Sequence, residues 1–270
     1  MNPHPWHILT LPHLYEIAGI LLVLCGALWL VHWRVGNASL ADVGFCVGFG
    51  FVVIVCGMAG EGSPWRRILV VGMGSAYACR LGWHLWRSRV WRKTEDHRYR
   101  RLRAVLGQWE SVGFLGYFVL QVPACLFFGA LLCWVMAHPY LSVRGWDLLG
   151  LGIFLLAFHG EALADVQLER FRSDPTNQGK VLQTGLWRYS RHPNYFFEIV
   201  QWCAYIPLAV GLPGAWLAIV WPLLMMSSLL WVTGVPLAEA QAMISRGEAY
   251  RLYQHTTNRL FPWVPRRNGS

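Results

Sequence analysis

An all-α, polytopic integral membrane protein of about seven transmembrane helices is predicted by three features of this sequence. They are its composition, the length of its apolar runs and the sidedness of its basic residues. Of 270 residues, 55% are hydrophobic and 14% charged, against about 25% charged in an ordinary soluble domain. So few charges cannot coat a soluble particle of 30.8 kDa, and a mean hydropathy of +0.36 excludes a disordered chain.

A span needs about 20 apolar residues. Seven runs qualify, at about 16–33, 40–59, 67–87, 112–136, 146–164, 195–211 and 214–237. The first has no basic residue before it and is long for a signal-peptide core, so it is read as a retained span. Gly211-Leu212-Pro213-Gly214 reads as a tight turn between the last two. With no internal repeat, residues 1–270 form a single membrane domain.

The net charge is +9, yet only Lys93 and Lys180 are lysines. The arginines fall in short segments between apolar runs, the pattern of cytoplasmic loops rather than of a nucleic-acid surface. One side of the seven-span arrangement receives nineteen Lys and Arg residues; the other receives Arg66, Arg67 and Arg144. The positive-inside rule then puts the N-terminus outside and the C-terminus in the cytoplasm. All seven cysteines lie in apolar runs without Cys-x-x-Cys spacing, which predicts buried free thiols, no disulfide framework and no metal. His4-x-x-His7 reads as incidental.

A charge at the bilayer centre costs at least about 2.5–3.5 kcal/mol, so polar residues within spans point to function. Tyr77, Arg80 and His84 share one helical face of span three, and Asn194, Glu198 and Gln201 share one of span six. With Asp42, His159, Glu161 and Asp165 they fall in the cytoplasmic half, which describes a pocket open to cytoplasmic solute at one end and to lipid at the other. The competing reading of Arg80 and His84 is that they snorkel to the inner interface.

Residues 165–198 concentrate Arg172, Lys180, Arg188, Arg191 and His192, then Asn194 and Tyr195 at a helix N-terminus. Arginines and helix N-termini suit phosphates. Asn suits a carboxamide or ribose, and aromatic rings offer stacking faces. No Walker or Gly-x-Gly-x-x-Gly motif follows a strand.

The stretch TGLWRYSRHPNYFFEIVQW (184–202) resembles the signature of the steroid 5-alpha-reductase-like membrane proteins, in the bacterial-type branch catalogued as a domain of unknown function. Asp42, Arg80-Leu81, Glu95-Asp96-His97-Arg98-Tyr99, Ala164-Asp165-x-Gln167 with Phe171-Arg172, Gly234-x-Pro236-Leu237-x-Glu239, and Tyr250-x-x-Tyr253-x-x-Thr256 with Phe261-Pro262-Trp263 extend the resemblance over most of the chain. The resemblance implies a multi-pass reductase of the bacterial inner membrane, its active site facing the cytoplasm. Such an enzyme uses NADPH to reduce a carbon–carbon double bond conjugated to a carbonyl in a sterol-like or other lipid. It also implies that Asp165, Arg172, Arg188, Arg191, His192, Asn194, Tyr195 and Glu198 hold NADPH, with Glu239, Tyr250 and Tyr253 closing the site. The chain departs from characterised steroid reductases in lacking their Gln-Glu pair on span two, in having Gln201 for Glu, and in having Glu161 for Asn. The isoprenylcysteine methyltransferases, which bind S-adenosylmethionine, share a similar Arg-His-Pro-x-Tyr ending; Asn194 favours the nicotinamide. A non-enzymatic lipid-binding or transport protein is the third reading.

Reduction of an enone develops negative charge on the carbonyl oxygen, which needs a donor within about 2.6–3.2 Å. Asp42, which burial would keep neutral and an adjacent Arg80 would keep charged, and His84, with Tyr99 near, are the expected catalytic groups; Tyr77 is the other candidate. Membrane lipids and a lipid substrate are the expected partners, with no nucleic acid.

Overall fold

The computed structural model describes residues 11–60, 62–91 and 93–266; His4 and His7 lie outside them. The described chain is helical throughout, without strands, and divides into two compact units, Met1–Val143 and Arg144–Ser270.

The first unit holds α1 (Leu11–Val35), α2 (Leu40–Ala59), α3 (Pro64–Leu85), α4 (His97–Leu106), α5 (Glu110–Val119) and α6 (Gln121–Met136). α2 is its centre and packs against α1, α3 and α6. The reason lies in its sequence: Gly44, Cys46, Gly48, Phe49, Val52, Val53 and Cys56 are all buried, so small residues let neighbouring helices approach. α3 continues into one wide π turn over Trp86–Val90. α4 is N-capped by Asp96, whose carboxylate accepts from the Arg98 amide at 2.9 Å. It ends at Gly107, whose φ of 50° breaks the helix before α5.

The second unit holds α7 (Gly145–Ser173), α8 (Pro193–Cys203), α9 (Tyr205–Ala209), α10 (Val220–Ser227), α11 (Val235–Arg246) and α12 (Glu248–Thr256). α7 opens where the Arg144 amide donates to the buried Asp147 carboxylate at 2.8 Å. It packs along α8 and α9. That crossing requires Gly150, where a Cβ would sit 2.7 Å from the Ala204 carbonyl oxygen. Pro193 and Pro236 stand in the first turns of α8 and α11, where a missing N–H costs nothing.

Among the described residues, five helices are long and apolar enough to cross a membrane: His13–Val35, Leu40–Ala59, His97–Met136, Gly145–Ser173 and Ala215–Arg246. A polytopic membrane protein follows. Two expected spans are missing from that set. α3 has the length, but Arg66, Arg67 and Arg80 lie along it. α8 stops after 11 residues and resumes as the short α9. The seventh run also differs from one continuous helix: a 3-10 turn, α10 and a π turn over Ser228–Val232 precede α11.

The cysteine expectation is corrected. Cys56 of α2 and Cys133 of α6 form a disulfide with a Cα–Cα distance of 5.4 Å. Their apolar surroundings hid the pair, because two helices packed this closely can bridge thiols anywhere along their contact. Cys25, Cys46, Cys79, Cys125 and Cys203 are free thiols; Cys79 is exposed rather than buried.

Candidate functional site

In the first unit, polar side chains converge on Asp42, in the first turn of α2, where the helix dipole favours a negative charge. Its Oδ1 accepts from the Tyr99 hydroxyl at 2.6 Å. Its Oδ2 accepts from Arg89 at 2.6 Å and Arg98 at 2.9 Å. The hydroxyls of Tyr99 and Tyr117 are 3.2 Å apart. Burial works against the charge on Asp96, but the Arg98 guanidinium, the Arg98 amide and Arg89 outweigh it and hold this carboxyl below its usual range. Glu95 accepts from Arg103 at 2.8 Å and from the Ala38 amide at 2.8 Å, fastening the α1–α2 turn to α4. Arg103 also pairs with Glu110.

Asp42 and Tyr99 are therefore in direct contact. His84 lies half-buried in the last turn of α3, and Tyr77 is buried with its ring edge-on to Phe49. Arg89 and Tyr117 went unrecognised in the sequence. Arg98 was read only as part of a motif. Arg89 meets Asp42 across 47 residues, a separation that leaves no local signal.

In the second unit, the turn before α8 is pinned from both sides. Trp187 donates its indole N–H to the Ala164 carbonyl at 3.0 Å, and Gln167 accepts from the Leu186 amide at 3.0 Å. From the other side, the Ser190 hydroxyl donates to the Leu260 carbonyl at 2.6 Å, and Tyr253 donates to the Trp187 and Ser190 carbonyls. The Arg191 and Trp263 amides pair with Asn258 and Tyr189.

Arg191, 9% exposed, donates Nε to Glu239 at 2.9 Å and Nη1 to the Gln254 and Thr257 carbonyls at 2.7 and 3.0 Å. Glu239 also meets His192 Nε2 at 3.2 Å and accepts from the Gln254 amide at 2.8 Å. Burial pushes the His192 imidazole below its ordinary value, and Glu239 offsets only part of that. A neutral His192 donates Nε2–H to the carboxylate. Its ring stacks on Tyr195 at 5.3 Å and 3°. Burial also pushes the Tyr250 and Tyr253 phenols up, which keeps both protonated.

The buried Arg191 and His192 thus meet on the half-buried Glu239, with Tyr195 stacked on His192 and the buried Tyr253 holding the turn just before them. Asn194 joins α8 to α7 by donating to Asp165 at 3.2 Å. Two turns further along α8, Gln201 donates to Glu161, both residues 3% exposed or less. Asn194 Oδ1 and Gln201 Oε1 are buried with no hydrogen-bond partner among the described residues. Arg172 and Arg188 are exposed at the end of α7 and in the following loop. Glu198 is half-buried on α8. Gln254 went unrecognised in the sequence, though it directly follows Tyr253.

The chain is 24% identical to an uncharacterized protein of Schizosaccharomyces pombe, C594.04c, over 280 aligned residues that cover 91% of this chain and 79% of the yeast protein. A family model described as "Protein of unknown function (DUF1295)" matches residues 28–257. That match takes in both the Asp42 cluster and the Arg191–Glu239 cluster, and the chain belongs to this family.

Proposed function

We propose that this protein is a steroid 5-alpha-reductase-like membrane enzyme. It uses NADPH to reduce a carbon–carbon double bond conjugated to a carbonyl in a sterol-like or other lipid. The observation that carries the reading is the orphaned Asn194 oxygen. A buried acceptor without a donor costs about 1–3 kcal/mol unless something completes it. The carboxamide of a nicotinamide is a donor of the right kind. The same unit carries the other parts such a cofactor requires: the His192–Tyr195 stack next to Asn194 in the chain, and exposed Arg172 and Arg188 suited to phosphates.

NADPH, when bound, supplies a hydride. The residues of this chain bind, orient and hold protons. Asn194 would complete its open valence on the cofactor, Asp165 fixes the Asn194 amide, and Tyr195 would offer a ring face. Arg191, already bonded to three acceptors, holds Glu239 and the C-terminal helices in place. In the first unit, both Asp42 oxygens accept, so Asp42 orients Tyr99. Within that unit Tyr117 donates to Tyr99 and Tyr99 to Asp42, a chain of two hydroxyl protons, and His84 keeps the catalytic role expected of it.

The proposed topology has seven spans, N-terminus outside, C-terminus and active site toward the cytoplasm of a bacterial inner membrane. Two observations support it. The Cys56–Cys133 disulfide lies near the C-terminal ends of α2 and α6, the ends this topology puts outside, where disulfides persist. Arg66 and Arg67, two of the three basic residues on that side, donate to the Val135 and Gly57 carbonyls at 3.5 and 3.2 Å. They serve helix C-termini rather than set orientation.

Purification in mild detergent tests the cofactor. Retained NADPH, seen by its reduced-nicotinamide absorbance, is expected, and Asn194→Ala should weaken it about 3–10-fold, the worth of one hydrogen bond. Retention of S-adenosylmethionine instead, or unchanged NADPH affinity in the variant, would overturn the reading.

A further inference from the structure

The helix that carries Tyr99 has a second face. The segment His97–Met136 is 40 residues long, or about 60 Å as continuous helix, twice the roughly 30 Å hydrocarbon core. The break at Gly107 divides it, leaving α5 and α6 to cross and α4 at the boundary. The inward face of α4 presents Arg98, Tyr99 and Arg103 to Asp42 and Glu95. The outward face presents Arg100 and Arg101, with Lys93 exposed just upstream. Val105, one turn on from Arg101 in the same helix, is 83% exposed, and Trp109, in the 3-10 turn that follows the helix, is 66% exposed.

The acids of this region are spent. Asp42, Glu95, Asp96 and Glu110 are engaged by Arg89, Arg98 and Arg103. Lys93, Arg100 and Arg101 therefore have no acidic partner among the described residues. A cluster of surplus cations interleaved with an exposed Val and Trp, at the end of a span, fits the boundary between headgroups and acyl chains. A soluble anion would leave Val105 and Trp109 in water.

We propose that the outer face of α4 binds anionic phospholipid, with Lys93, Arg100 and Arg101 on the phosphate and Val105 and Trp109 seated among the upper acyl carbons. The lipid then braces the helix whose opposite face orients Asp42 and Tyr99. The composition of the surrounding leaflet becomes a condition for keeping that cluster assembled. Lipid binding at this surface does not require the reductase reading to hold.

The test titrates delipidated protein in detergent with phosphatidylglycerol, phosphatidylcholine or inorganic phosphate. Bound lipid is read by native mass spectrometry and stability by thermal unfolding. Phosphatidylglycerol should bind at least about tenfold more tightly than phosphatidylcholine and raise the unfolding temperature. The triple variant Lys93→Gln/Arg100→Gln/Arg101→Gln should lose about 100-fold, at roughly fivefold per cation. Arg100→Lys/Arg101→Lys should keep most of the affinity. Equal phosphatidylglycerol affinity in the triple variant, or full stabilisation by inorganic phosphate alone, would overturn the proposal. A spin label at Val105 in the reconstituted protein gives a reading independent of the triple variant's folding. Shielding from an aqueous relaxation agent is expected, and free access to that agent would equally overturn the proposal.

Discussion

Each unit builds a polar cluster around one carboxylate, and the two are finished differently. Asp42 has both oxygens filled by two arginines and a tyrosine, and its neighbour Asp96 shares the same two arginines. If either guanidinium is lost, the other remains. Glu239 has a single arginine, and that arginine also holds two backbone carbonyls. Around Glu239 and down the α7–α8 seam, Asn194 and Gln201 keep buried oxygens without donors. The first cluster is closed and redundant, as suits a group held in one orientation. The second has open valences and, among the described residues, no second arginine bonded to its carboxylate, as suits a place where something else binds.

That contrast is broken most directly by deleting one arginine from each. Arg191→Ala leaves the half-buried Glu239 with only His192 and Gln254 and strands two carbonyls. Removing one partner of a buried ion pair costs about 3–5 kcal/mol. Arg98→Ala leaves Asp42 with Arg89 and Tyr99, and Asp96 with Arg89, so about 1–2 kcal/mol is expected. Denaturant unfolding in detergent measures both. Equal losses would mean that the redundancy in the first unit carries no weight.

The first unit also has covalent support. The Cys56–Cys133 bridge closes a loop of sequence separation 77, and disulfides of this kind contribute about 2–4 kcal/mol. Cys56→Ala/Cys133→Ala should lower the stability of the first unit by that amount and leave NADPH retention in place. Alkylation followed by mass measurement checks the premise. Ready labelling of both thiols without reductant would remove the bridge from consideration.

Legibility in the sequence followed the range of the interaction. α2 ends where its apolar run ends, at Leu40 and Ala59, because hydropathy and a following Gly act locally. The Gly211–Gly214 turn and the start of α8 at Pro193 were readable for the same reason. Helical spacing put Asn194 and Gln201 on one stripe, and the structure joins both to α7. Long-range pairing was not readable. Arg191 meets Glu239 across 48 residues and Cys56 meets Cys133 across 77. Their partners are chosen by helix packing, which composition does not encode. The broken seventh run was missed because single 3-10 and π turns interrupt the helix without interrupting its apolar composition.

The smallest expected effect separates the two clusters by pH. His192 is held neutral by burial, with its folded value below the ordinary 6.5. An unfolded chain takes up that proton first. The stabilisation is therefore fully present above the ordinary histidine value and is lost as pH falls through the depressed folded one. Asp96 obeys the same sign in a lower window. Its carboxyl is held below the ordinary 3.8 by Arg98 and Arg89 against the cost of burial, so its contribution is present above that value and lost only as pH falls further. Thermal unfolding in detergent across mildly acidic pH should then show the His192–Glu239 contact weakening while the Asp42–Asp96 cluster stays intact. His192→Gln should flatten the mildly acidic slope and leave the strongly acidic one. If instead the slope in the histidine range persists in His192→Gln, another group sets it, and the two clusters do not separate by pH.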